Sequence, residues 1–358
     1  MEIALSSGCF IGHEREIAHS RVKAVELSAH RPELLGEVLA DIGATGGRVL
    51  GIHCPCPSRG VGLNPGGEGE AWIATERAII ESAQIAHACG AEYILVHAFY
   101  CVPQDLPAED VARMRTLRNL FGGDASIFDY VNSEQYSACK ARAISNLKSL
   151  VPRIRRDFPG LKLIVENLNP RLGYGGILFQ DVVDIAEALD GEVGICLDLG
   201  HLTLASAALD HDMEQSVKDA GPLIFSVHAH DNFGGEFCVD RRWNVAAPDP
   251  HLQDVDIHLP FLTRYCRSEQ ESAFQVMADN SAFSQILKGG AHYTDAPDAT
   301  LLKGAVPIDH LLTLVPESAH LIFEFDSRYA PLHEVLAEYT LAVLGNHPRL
   351  TQMARVAQ

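Results

Sequence analysis

The chain has 358 residues, of which 47% are hydrophobic and 21% charged, with a formal net charge of −19 when histidine is neutral. That balance excludes a disordered or fibrous chain, and it argues against nucleic acid as a partner, because a protein that grips phosphates needs a basic stripe to displace counterions. No apolar run approaches the roughly 18 residues of a membrane span, and MEIALSSGCF carries no basic region ahead of a long apolar stretch, so a cytoplasmic protein without a membrane anchor is expected.

Apolar runs alternate with helix-period segments along nearly the whole chain. The strand-like runs are 2–7, 23–28, 48–54, 93–99, 162–167, 193–199, 223–230 and 320–326, eight in number. Helical segments are expected at 32–43, 70–90, 133–158, 179–191, near 203–220 and, closing the ring, at 331–345. Gly90, Gly160, Gly191 and Gly221 fall at or just past helix ends, where a left-handed cap favours glycine. Strands alternating with helices imply parallel βαβ units, and eight of them imply an α/β fold: a (β/α)8 TIM barrel, read as a single domain over 1–358. Two connections, 100 to about 132 after strand four and 231 to about 306 after strand seven, are far longer than typical βα loops. They are read as insertions over the barrel mouth. GLNPGGEGE and GYGG read as flexible loops, since neither has P-loop or dinucleotide spacing.

The strand-like runs carry a second pattern. Six of them end on a histidine or a carboxylate: His53, His97, Glu166, Asp198 followed by His201, His228, and Glu324. With 47 Asp+Glu and 17 His in the chain, about one position in six would hold such a group by chance, and six consecutive strand ends would not. Parallel strands in a barrel aim their C-terminal ends at one face, so these groups converge on one pocket. Burying them without a partner costs several kcal/mol each, and a shared cation removes that cost. His230 is expected on the opposite face of its strand from His228. The nine cysteines are scattered and include no CxxC pair, which reads as buried reduced thiols; Cys54 and Cys56, beside His53, are the one arrangement that offers soft ligands. Arg113, Arg115 and Arg118 lie in the first long loop, Arg241 and Arg242 in the second, and Arg153, Arg155 and Arg156 close a helix away from the pocket. These read as solvated charge. No serine sits in a nucleophile elbow.

In chain order the motifs IHCPCPS, VHAF, VEN, LDLGH, VHAHDN, DIHLP and FEFD resemble those of the xylose isomerase-like TIM barrel superfamily, which holds sugar and sugar-phosphate isomerases and epimerases and the endonuclease IV branch. The resemblance implies a metal site of Glu166, Asp198, His228 and Glu324, with Glu166 and Glu324 exchanging protons with a substrate carbon beside a carbonyl and His201 binding a substrate hydroxyl or a second metal. The endonuclease IV branch adds ligands, and His53, His97, His201, Asp256 and His258 occupy matching positions. The chain departs from both patterns after DIHLP, where FLTRYCRSEQ follows and the family-like GAVPID resumes only at Gly304. The implied cofactor is a divalent metal, zinc or manganese, in one to three ions. The implied activity is isomerisation or epimerisation of a sugar, cyclitol or related polyhydroxylated small molecule through an enediolate. A multi-zinc phosphoesterase and a metal-dependent lyase or dehydratase are the alternatives, and a homodimer is the assembly common among such barrels.

Overall fold

Eight parallel strands close into a barrel in the computed structural model, which describes residues 2–10, 14–20, 22–28, 32–55, 63–101, 127–231, 258 and 306–325. The strands are β1 (Ile3–Ser6), β2 (Ala24–Ser28), β3 (Arg48–His53), β4 (Tyr93–His97), β5 (Lys162–Glu166), β6 (Val193–Asp198), β7 (Ile224–Ala229) and β8 (His320–Phe323). Each lies inside its predicted run. Neighbours in sequence are neighbours in the ring, and β1 pairs with β8 to close it, with Ala4 opposite Ile322.

The described helices are α1 (Pro32–Ala44), α2 (Gly69–Cys89), α3 (Ile127–Val131), α4 (Glu134–Asp157), α5 (Phe179–Ala188), α6 (Leu199–Leu209), α7 (Met213–Ala220) and α8 (Ile308–Leu314). The segment expected as one helix near 203–220 is two. Asp210 takes a left-handed conformation (φ 55°) that ends α6, and the Asp212 side chain then caps α7 by accepting from the Gln215 amide at 3.0 Å. Helix α3 starts inside the first stretch read as a loop. The predicted helix 331–345, the arginines 113, 115, 118, 241 and 242, and most of both long connections lie outside the described residues. At the helix end expected to carry a glycine cap, Gly90 has φ 73° and bonds back to the Ala86 and His87 carbonyls. Arg153, Arg155 and Arg156 pair with Glu76, Glu192 and Asp157 on the exposed end of α4.

Both glycine-rich loops are tied to elements distant in sequence. Asn64 holds the first: its carboxamide donates to the Tyr100 carbonyl (2.9 Å) and accepts from the Tyr100 amide (2.8 Å), while Asn146 of α4 donates to the Pro65 and Gly67 carbonyls. In the second, Tyr174–Gly175 pairs antiparallel with Phe99–Tyr100. A Cβ at Gly175 would overlap the Phe99 ring, so the glycine is there for close approach.

The core has two parts. A large apolar layer lies between barrel and helices, and a smaller cluster of Ala4, Ala24, Leu50, Leu95, Ile164 and Ile322, with Tyr93 and Cys196, fills the lumen. Because side chains alternate along a strand, the lumen position two residues beyond Ala24, Leu95, Ile164, Cys196 and Ile322 belongs to Glu26, His97, Glu166, Asp198 and Glu324. The lumen therefore has an apolar floor and a polar mouth. On the floor, the Tyr93 ring is wholly buried and packs edge-on to Phe225 at 5.7 Å. It occupies the space a side chain at Gly51 would need. Among the described residues no helix is long and apolar enough to cross a membrane.

Gly51→Ala is therefore expected to destabilise the fold by about 1–3 kcal/mol through overpacking against Tyr93. Gly36→Ala, in α1 with nothing within 4 Å of the added Cβ, should instead stabilise by about 0.5–1 kcal/mol. Urea unfolding of the two variants checks the contrast.

Candidate metal centre

Asp198 ends β6 and is the N-cap of α6, its Oδ1 accepting from the His201 amide at 2.7 Å. Asn167, just past β5, clamps it from the other side. The Asn167 carboxamide accepts from the Asp198 amide (2.8 Å) and donates to the Asp198 carbonyl (3.0 Å), while the Asn167 backbone carbonyl meets His201 Nδ1 at 2.9 Å. The VEN and LDLGH motifs are thus one locked unit. Strand register supplies the rest: His97 lies opposite Glu166, and Asp198 opposite His228.

His228 sits at the centre, with no exposed surface. Its Nδ1 faces Glu166 Oε1 at 2.9 Å, Glu324 Oε2 at 3.0 Å and Asp198 Oδ2 at 4.0 Å. Burial disfavours charge on this ring, but Cys196 and the carboxylates of Glu26, Glu324 and Glu166 outweigh it and hold its pKa well above the usual value. Burial likewise pushes the Glu166 carboxyl up, and His228, His53 and His97 more than offset that, holding it well below the usual range. Glu324 is held down against burial by His228 and His258, and Asp198 by His201 and His230. Without a cation the pocket is thus an imidazolium among carboxylates. A cation arriving at Nδ1 would replace that proton.

The donor atoms of Glu166, Asp198, His228 and Glu324 lie within 4.8 Å of one another, and the same holds for His53, His97 and Glu166 and for His201, His230 and His258. Of the ligands that the resemblance implies, Asp256 lies outside the described residues and all the others are in these groups; the soft-ligand candidate Cys56 also lies outside the described residues. His258 stacks on His230 with centroids 3.7 Å apart, and its Nδ1 is 3.8 Å from Glu324. His230 corrects the sequence reading. Residues two apart share a face, so it points as His228 does, and its Nε2 lies 3.1 Å from Asp198 Oδ1. Its ring fills the space beside Gly200, where any Cβ would overlap it. Cys54 is buried but belongs to none of the ligand groups, whereas Cys196, read only as a core thiol, stands beside Glu166 and His228.

Sequence reasoning missed Glu26, Asn167 and Asn169. Glu26 is wholly buried in β2 and meets His228 Nε2 at 3.0 Å from the side opposite the other carboxylates. Asn169, on the segment leaving β5, is 1% exposed, and neither side-chain polar atom has a hydrogen-bond partner among the described residues. The signal for Asn167 was the VEN motif itself; for Glu26 it was a charged residue inside an apolar run.

These residues fit a divalent cation. Among the described residues Glu166 Oε2 is buried without a hydrogen bond, while His97 Nε2 and His53 Nε2 stand 3.3 and 3.5 Å away. Ligand atoms held about 2.1 Å from a tetrahedral ion are separated by about 3.4 Å. The backbone agrees as well: the Cys54 carbonyl accepts from His53 Nδ1 at 2.7 Å and the Asn167 carbonyl from His201 Nδ1, so each ring, once neutral, would carry its lone pair on Nε2.

The family model of the xylose isomerase-like TIM barrel matches residues 13–247. The chain belongs to that family. No curated protein matches it by sequence. Among solved structures, this member of the family is similar to a D-tagatose 3-epimerase-like protein, with 17% identity, a TM-score of 0.59, and coverage of 99% of this chain and 98% of the other. It is similar to an IOLI protein with a bound zinc atom (13%, 0.56, coverage 97% and 99%) and to the D-psicose 3-epimerase of Clostridium cellulolyticum H10 (10%, 0.52, coverage 100% and 96%). At these identities the likeness is one of fold.

Gly200→Ala should break the His230–Asp198 contact while leaving the barrel intact, since the collision is with one ring. A crystal structure of the variant with His230 still on Asp198 would contradict the packing argument.

Proposed function

We propose that the protein is a divalent-metal-dependent isomerase or epimerase acting on a sugar, cyclitol or related polyhydroxylated small molecule. The observation that supports this most is the convergence of two carboxylates, Glu166 from β5 and Glu324 from β8, on the same nitrogen of His228. Glu166, Asp198, His228 and Glu324 would hold the ion, zinc or manganese. Such an ion supplies Lewis acidity, polarising a substrate carbonyl and stabilising the negative charge of an enediolate.

The chain's own residues do the rest. Glu166 and Glu324 are kept ionised by their histidine neighbours, the state a general base needs. The carboxylate facing the C–H removes the proton from the carbon beside the carbonyl and is left protonated. The other, after taking up a proton from solvent, delivers it to that carbon from the opposite side, which inverts the centre, while delivery to the former carbonyl carbon, with the hydroxyl proton passing to the other oxygen, moves the carbonyl. Glu324 is the more accessible, its side chain 16% exposed against 1% for Glu166. His201 Nε2 and the Asn169 carboxamide offer hydrogen bonds for substrate hydroxyls at the mouth. The acidic balance of the chain suits a neutral polyol better than a polyanion. A cytoplasmic location accords with the free buried thiols Cys101, Cys139 and Cys196 among the described residues.

A second reading is supported by one specific arrangement. Glu166 turns Oε1 toward His228 and Oε2 toward His53 and His97, so each of its oxygens would serve a different ligand group if both held an ion. With His201, His230 and His258 forming a third group, a multi-zinc phosphoesterase has ligands for its ions.

Two measurements separate the readings. Metal analysis of the purified protein should give one divalent ion per chain for the isomerase, and three for the phosphoesterase. Sugars turned over in deuterated water should gain deuterium at the carbon beside the carbonyl, and Glu166→Gln and Glu324→Gln should each slow that exchange by about 100-fold or more. Release of inorganic phosphate or cleavage of a phosphodiester, with no exchange into any sugar, would replace the first reading by the second.

A further inference from the structure

A buried chain of hydrogen bonds joins the floor of the lumen to the metal pocket. Tyr93 OH donates to Glu26 Oε2 at 2.6 Å, and His228 Nε2 donates to Glu26 Oε1 and Oε2 at 3.0 and 3.2 Å. All three side chains are wholly buried, and they come from β4, β2 and β7. In the ring β2 and β7 are separated by β1 and β8, so Glu26 meets His228 across the lumen rather than along a ladder. We infer that Glu26, supported by Tyr93, is a positioning residue that sets how strongly the pocket holds its cation, acting through the far nitrogen of His228. This rests on the proposed role of His228 as a ligand.

Stability alone does not account for the arrangement. A carboxylate in a lumen lined by apolar side chains such as Leu50, Leu95, Ile164 and Ile322 is costly to desolvate, and apolar side chains of similar size commonly do as well or better at such sites. The two partners of Glu26 only offset that cost. What the carboxylate does accomplish is directional. It fixes the proton of a neutral His228 on Nε2, which leaves the Nδ1 lone pair facing Glu166, Asp198 and Glu324. It also places negative charge behind the ring, which makes Nδ1 a stronger donor. Tyr93 holds the carboxylate in its orientation by donating to it, and Gly51 leaves the room its ring needs to reach the centre of the barrel. A backbone carbonyl behind the ring would fix the tautomer equally well. It could not supply the charge.

The test compares Glu26→Gln, Glu26→Ala and Tyr93→Phe with the wild type. The affinity for the first equivalent of Zn(II) is measured by competition with a chromogenic chelator, and the visible absorption of the Co(II)-loaded protein reports the ligand field. Glu26→Ala should weaken Zn(II) binding by about 10–100-fold. Glu26→Gln keeps the size and a hydrogen-bond acceptor but not the charge, so it should weaken binding less, by about tenfold, and shift the Co(II) bands. Tyr93→Phe should have the smallest effect in the same direction. The thermal midpoint of metal-free Glu26→Gln should be unchanged or raised, which a merely structural role would not give. Asp181→Asn is the control: this carboxylate is equally buried and accepts from Tyr136 at 2.5 Å, outside the lumen, so its loss should lower stability without altering Zn(II) affinity or the Co(II) spectrum. If Glu26→Ala fails to fold, Glu26→Gln carries the test. Wild-type affinity and an unshifted Co(II) spectrum in Glu26→Gln would overturn the inference and leave the proposed function standing. A wild-type protein that binds neither Zn(II) nor Co(II) would instead overturn the reading beneath it.

Discussion

The mouth of this barrel is organised around one imidazole. His228 meets Glu166 of β5, Glu324 just past β8 and Glu26 of β2 within about hydrogen-bond distance, so a single ring links strands spread around the circle. Three carboxylates so close would repel one another strongly at low dielectric. The positive charge of the ring, or a cation in its place, is the condition under which they can share the lumen. The clamp of Asn167 on Asp198, the cap at the start of α6 and the approach of His230 over Gly200 all serve to hold ligand-type atoms at the edge of that charge.

Much of this was legible in the sequence, and the reason is geometric. A parallel barrel strand offers one inward position at its C-terminal end. If the mouth does chemistry, that position must be polar while the one two residues earlier stays apolar, and ILVH, LIVE and ICLD all carry that signature. The eight strands were legible for the same reason, since the runs that pack against both lumen and helices are continuous and apolar. Glu26 escaped because its polar side chain is not at a strand end: Leu27 and Ser28 follow it in β2, and the register between β2 and β3 shifts at Val25 and Glu26. His230 escaped through its position one residue past β7, where the alternation was counted with the wrong phase. The glycine-rich loops looked unstructured because what holds them is distant in sequence, Asn146 for one and Phe99 for the other.

Substrate choice is not legible in the same way. The residues that hold the proposed ion are fixed by strand register and repeat with a period of two. The connections after β4 and β7 carry no such periodicity, and a single loop residue can be polar for many reasons. Asn169 shows the difficulty: residue type alone does not separate it from Asn167, yet one amide both donates to and accepts from Asp198 and the other has no partner among the described residues.

Cys196 lies directly beneath the pocket, within reach of His228 and Glu166, and burial pushes its thiol up to about 12. In the proposed metal site that placement would put one soft donor beneath a set of harder ones. A hard or borderline ion would be served by the carboxylates and imidazoles above and leave the thiol protonated. A thiophilic ion such as cadmium or mercury would displace the thiol proton and gain a sulfur ligand from the floor. The thiol would thus make the pocket more open to soft heavy metals than its carboxylates alone imply.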